Sequence, residues 1–221
     1  KEYFGAPITE KMEVMKSLNF FRRSLGDNLP SFNVTSHELA QYHFCLVCFK
    51  DTRLDLFNIP KEHYGEYNVG DLVIVQADRG VDLGKLVSLH VTLEAARLFK
   101  TKQNADQRAN GGKSSDELRL AGLDFPRGVL RVANGNEVAQ FPGKEEEERA
   151  ATCVCQEKVV EYGLNLVVDD CEYQWDKNKL TFYYQSDQRV DFRDLIREMF
   201  RLYKARIWLC KATNLYTRRH Q

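Results

Sequence analysis

Arg193, Arg197 and Arg201 recur every four residues, and Lys204 continues the row. At helical spacing such side chains stack along one face, and planar guanidinium groups make bidentate contacts to phosphate oxygens. Arg189 and Arg206 flank the row. The chemistry on offer is the holding of a phosphate backbone or of an acidic partner. Asp194 and Glu198 lie within reach of the same arginines, so a solvated, salt-bridged face is the competing reading. The nearby run Phe182-Tyr183-Tyr184 offers rings on which bases could stack. Alternation sends Phe182 to one face and Tyr183 to the other, so only one face could serve, and core packing is the alternative.

Other residue types give less. Cys45 and Cys48 have the spacing of half a zinc site, yet they fall in an apolar strand, and Cys153-Val154-Cys155 falls on a helix without a matching pair of histidines. Small buried thiols are the expectation, and no metal. His37, His43, His63, His90 and His220 show no spacing that pairs them with a nucleophile or with one another. Asp78, Asp82, Asp169, Asp170, Asp187 and Asp191 sit in turns and caps, where Asp serves backbone hydrogen bonds. Gly112-Lys113-Ser114 imitates the end of a phosphate-binding loop, but the leading glycine would fall at Gln107 and no apolar strand precedes it. Neither a catalytic set nor a cofactor is predicted, and the chain is expected not to be an enzyme.

These residues need a scaffold, and the composition supplies one. The 221 residues are 43% hydrophobic and 29% charged, which suits a folded domain with a sizeable core. Lys and Arg number 32 against 32 Asp and Glu, so any attraction to nucleic acid must come from a local patch. No apolar run approaches the roughly 20 residues of a membrane span. Six scattered cysteines fit a reducing compartment, and a cytoplasmic location is expected. The chain begins at Lys1, which reads as a domain cut from a longer protein.

Five segments are expected. A helical extension, residues 1–30, holds an amphipathic helix over 9–25. A β-rich half, 31–100, carries strands from Tyr42 to Phe49 and from Arg53 to Phe57, then the pair within VGDLVIVQADRGVDLGKLV at 69–87, turned at Asp78-Arg79-Gly80. Gly84 interrupts that second strand and suggests a bulge or bend, so a bent sheet or small barrel is predicted. A polar loop, 101–117, follows. The half 118–211 reads helix, strand, strand, helix, strand: a helix from about Glu145 to Gly163, strands Cys171–Trp175 and Leu180–Gln185, a last helix capped by Asp191 with Asp194 three residues on, and a strand Arg206–Leu209. It is expected to form an α+β sandwich with an antiparallel sheet and one compact unit with 31–100. Residues 212–221 form a basic tail.

VGDLVIVQADRGVDLGKLV together with KLTFYYQSDQRVDFRDLIREMFRLYKARIWL resembles the C-terminal domain of polymerase suppressor protein one. The likeness covers roughly 67–90 and 145–211. The second block is the more specific: a strand, an acid at the cap, an Arg after an aromatic, and a helix ending in an Arg-Ile strand. The family takes in fungal proteins, kinetoplastid mRNA-binding proteins and a bacterial partner of ribonuclease Y. The resemblance implies a non-catalytic domain of mRNA metabolism that assembles protein partners of the decay or translation machinery. Direct binding of single-stranded RNA and homo-oligomerisation remain open alternatives. Bacterial members continue into a cysteine-rich segment tied to iron–sulfur binding, whereas here the sequence ends KATNLYTRRHQ, and that role is not carried over.

Overall fold

The computed structural model describes residues 3–4, 18, 21–22, 29–50, 53–109 and 122–211. Helices and strands both contribute, giving an α+β chain that divides into two compact units, Lys1–Gln76 with Gly84–Val132 and Ala77–Leu83 with Ala133–Gln221. The helix expected over 9–25 lies outside the described residues apart from Leu18, Phe21 and Arg22, as do Gly112-Lys113-Ser114 and the tail 212–221.

The first unit is built on a closed barrel of five strands in the order β1-β2-β5-β3-β4. Strands β1 (Tyr42–Cys48) and β2 (Leu54–Pro60) form an antiparallel hairpin registered from Tyr42 opposite Pro60 to Cys48 opposite Leu54. Strands β3 (Leu72–Gln76) and β4 (Val81–Val91) follow, and β5 (Arg127–Val132) closes the barrel, parallel to β2 and antiparallel to β3. Alternate residues fill the interior, with Cys45, Val47 and Phe49 facing Phe57, Ile59, Val73, Val75, Leu86 and Val129. A short helix α1 (Ser36–Leu39) precedes the barrel under a reciprocal cap, in which Thr35 Oγ1 accepts from Glu38 N and Glu38 Oε2 accepts from Thr35 N.

One expectation gains a cause here and two change. Gly84 marks a close approach: a Cβ at this position would lie 2.4 Å from Val47 Cγ1 and 2.8 Å from the Cys48 carbonyl oxygen. Residues 101–109 are not loop but the second half of helix α2 (Leu93–Ala109), supported by the Lys102–Asp106 pair four residues apart. Strand β5 belongs to the barrel and not to the half that follows it, because its partners are set by pairing across distant sequence.

The second unit contains α3 (Gly135–Ala139), α4 (Phe141–Glu161), β6 (Val167–Tyr173), β7 (Lys179–Gln185), α5 (Arg193–Tyr203) and β8 (Arg206–Lys211). The strand order is β6-β7-β8. β6 and β7 are antiparallel, but β7 and β8 run parallel, because the chain passes through α5 between them and returns to the starting end of β7. The sheet is therefore mixed where an antiparallel one was expected. Its core joins Ala151, Cys155 and Val159 of α4 to Leu195 and Met199 of α5 over Leu180 and Phe182 of β7. Each fully buried large side chain among these contributes about 1.5–3 kcal/mol.

Helix α4 starts at Phe141, a turn earlier than expected, and its buried stripe begins with charge: Lys144, Glu148, Ala151, Cys155, Val159. Glu148 is fully buried. One Oε1 accepts from Lys144 Nζ at 2.5 Å and from the Tyr173 backbone N–H at 2.8 Å, tying the helix to β6. The helix ends with Gly163 at φ +63°, the left-handed conformation that stops it.

Candidate partner-docking surface on the last helix and strand

α5 presents its cationic row to solvent while Leu195 and Met199 anchor the opposite face. The start of the helix departs from the predicted cap. Phe192 takes the cap position without a side-chain hydrogen bond, its ring packed 5.0 Å from that of Tyr184. Asp191 still accepts the Arg193 N–H at 3.1 Å, and its carboxylate also takes the Arg193 Nε at 2.9 Å. These bonds hold the Asp191 carboxyl down at about 2. Asp194 pairs forward with Arg197 at 3.2 Å instead of supporting a cap. Glu198 accepts from Arg201 at 2.9 Å, which pulls its own pKa below the usual range.

Every arginine of the row is thus matched by an acid on the same helix or just before it. The side chains remain 80%, 75% and 71% exposed, so water screens these pairs and they add little to stability. The surface is a zwitterionic stripe. Lys204 ends the helix at φ +54°, its N–H donating to the Phe200 carbonyl at 2.9 Å, and Arg189 is exposed before the helix begins. Phe200, at 54% exposure, stands along the edge of the stripe between Arg197 and Lys204, with Leu202 on the flank of the same helix at 46%.

Strand β8 follows at once. Arg206 is half-buried, its Nη1 3.8 Å from Asp78 and its Nη2 buried without a hydrogen-bond partner. Trp208 is 50% exposed, with Lys179 Nζ 4.7 Å from its ring centroid. Neither Phe200 nor Trp208 was singled out from the sequence. Arg and aromatic residues in the last helix and strand were a signal, but exposure is decided by packing that a periodicity does not reveal.

The stretch from β5 to the end of β8 matches one family model, the PSP1 C-terminal conserved region, over residues 127–212. The chain carries a PSP1 C-terminal region. It is similar to an uncharacterized protein of Schizosaccharomyces pombe, 40% identical over 195 residues covering 84% of this chain and 25% of that protein. It is similar to Protein PSP1 of Saccharomyces cerevisiae, 29% identical over 248 residues, or 86% of this chain and 30% of that protein. Stage 0 sporulation protein YaaT of Bacillus subtilis is 39% identical over 83 residues, covering 38% of this chain and 30% of that protein. The chain therefore spans about a quarter to a third of the length of these relatives. No solved structure matches.

The rest of the PSP1 region bears on the other sequence-based candidates. Tyr183 does not offer a stacking ring: it is buried, and its hydroxyl donates to Glu172 at 3.1 Å. Phe182 lies in the core. The segment 77–83 meets the β6–β7 turn, where Asp176 accepts the Val81 N–H at 3.0 Å and Asp82 accepts the Trp175 N–H at 3.0 Å. Gly80 sits at φ +77° directly against Asp176, where an added Cβ would collide with the carboxylate. ADRGVD is therefore one side of a clasp in which its Asp82 and the turn's Asp176 each accept a backbone N–H of the other segment, as turn aspartates do.

A cleft of ≈ 330 Å³ opens at the start of α4, lined by Gln140, Lys144, Glu147, Tyr173, Trp175 and Lys177. Its charges are matched, since Lys177 bridges to Glu147 at 2.6 Å as Lys144 does to Glu148. Cys45, Cys48 and Cys155 are buried, and burial pushes the Cys45 and Cys155 thiols up to about 12, far from thiolate chemistry. Cys153 is exposed. Among the described histidines, His90 meets the Tyr64 hydroxyl at 2.9 Å and His63 pairs with Glu66 at 2.8 Å. Among the described residues no group of three or more His, Cys, Asp or Glu is placed to hold a metal, and no helix is long and apolar enough to cross a membrane.

Proposed function

We propose that this chain is a non-enzymatic adaptor in cytoplasmic mRNA control, and that α5 is the face on which a protein partner docks. Membership of the PSP1 C-terminal family supports a regulatory or adaptor-type role. The observation that carries the choice of surface is Phe200, exposed along the edge of a stripe whose arginines are already neutralised by their own acids. Exposed aromatics beside arginines are the composition of interaction hot spots. A phosphate-tracking row calls for unmatched positive charge, and here Asp191, Asp194 and Glu198 would each have to be displaced by a phosphate.

Tethering tests the reading. The chain, fused to a heterologous RNA-binding peptide and placed on a reporter mRNA, changes that message's half-life or its protein output. Phe200→Asp abolishes the change while the melting temperature stays put. A folded chain with no effect on the reporter would contradict the proposed role in mRNA control.

A further inference from the structure

β8 is an edge strand without the usual protection. Among the described residues it pairs with β7 alone. Natural sheets blunt such edges with central lysines, prolines or bulges, because an open row of N–H and C=O groups invites another strand. β8 reads Arg-Ile-Trp-Leu-Cys-Lys, with four uncharged residues of high β propensity in its middle and a cation at each end. The Arg206 N–H donates inward to the Asn178 carbonyl at 3.0 Å. Alternation along a parallel ladder then turns the N–H and C=O groups of Ile207 and Leu209 outward. Trp208 stands half-exposed on one face, and Ile207 and Leu209 are half-buried on the other.

We infer that β8 accepts an extended segment of a partner protein as a fourth strand, and that this segment carries an apolar run flanked by acidic residues. A second copy of the chain is the poorer occupant. In antiparallel self-pairing the outward-facing Leu209 would meet Leu209 of the other copy and Ile207 would meet its Lys211, so neither Arg206 nor Lys211 would gain an acid. An acid at each end of the incoming strand meets Arg206 and Lys211 in either chain direction. Main-chain pairing supplies affinity in such additions, and the side chains supply selectivity. This inference rests on the adaptor reading and gives the adaptor a second docking element beside α5.

The test uses the whole chain and three blocked hexapeptides. The first is Asp-Val-Thr-Val-Val-Glu, the second has Lys at both ends, and the third is the first peptide N-methylated at its three valines. The first is expected to bind at least tenfold more tightly than the other two. Amide exchange followed by NMR should show Ile207 and Leu209 exchanging fast in the free chain and slowing at least tenfold with the first peptide, while Trp208 and Cys210 are slow throughout. Trp208→Lys, which installs the missing edge charge, should abolish binding with an unchanged melting temperature. Equal binding of all three peptides would overturn the inference, as would Ile207 and Leu209 amides already as slow as Trp208 in the free chain. Because this readout is independent of the tethered reporter, the edge inference can fail while the adaptor role stands, and the reverse.

Discussion

The chain builds its two β assemblies by opposite rules. In the barrel every strand has a neighbour on each side, so no row of backbone groups is left over and alternate side chains are consumed by the interior. In the three-stranded sheet, β7 alone is paired on both sides among the described residues, and helices cover one face with a stripe that begins in a buried ion pair. Closure gives the first assembly stability without valency. Openness gives the second its exposed aromatics and, among the described residues, an edge at β8, which is where docking is proposed.

The largest expected effect probes what holds the open assembly together. Glu148→Leu leaves the Lys144 ammonium buried without its carboxylate and the Tyr173 N–H without its acceptor, and should destabilise the second unit by about 3–5 kcal/mol in urea unfolding. A loss under about 1 kcal/mol would mean that water reaches Lys144 and that this unit is less tightly closed than the barrel. In the barrel, Gly84→Ala drives a methyl against Val47 and the Cys48 carbonyl and should cost about 1–3 kcal/mol. A neutral result there would show that the barrel yields where close packing forbids it.

Phe200→Asp and Trp208→Lys sharpen the contrast from the other side. Both alter half-exposed side chains and should shift stability by no more than about 0.5 kcal/mol, while abolishing the docking each supports. A large loss of stability would return those rings to the core. The smallest effect is a titration. The hydrogen bonds from Arg193 lower the Asp191 carboxyl to about 2 from an ordinary 3.8, so its contribution to folding is complete above the ordinary value and is lost as pH falls through about 2. Carboxyl NMR should show that midpoint, and Arg193→Gln should raise it.

Much of the barrel was legible because its strands are short apolar runs, such as Phe44 to Phe49, bounded by turn residues, and because Asp78-Arg79-Gly80 announces its turn. β5 was not legible, since Arg-Gly-Val-Leu-Arg-Val is half polar and finds its partners far away in sequence. The parallel return of β8 was hidden for the same reason: strand direction depends on where α5 brings the chain back. The arginine row and its acids could be read from spacing alone. Tyr183 misled because alternation separates two faces without saying which is covered. The buried Lys144–Glu148 pair had a signal, being in step with Ala151, Cys155 and Val159, but a run of four glutamates reads as solvated.

The central claim is that the α5 stripe serves protein contact, with its arginines neutralised in place. Binding of the 221-residue chain to mixed-sequence single-stranded RNA across a salt series, beside the variant Arg193→Glu, Arg197→Glu, Arg201→Glu, tests it most directly. The account predicts no RNA affinity that depends on those three arginines, even at low salt. Micromolar or tighter binding that falls steeply with salt and vanishes in the triple variant would contradict it and make α5 an RNA surface.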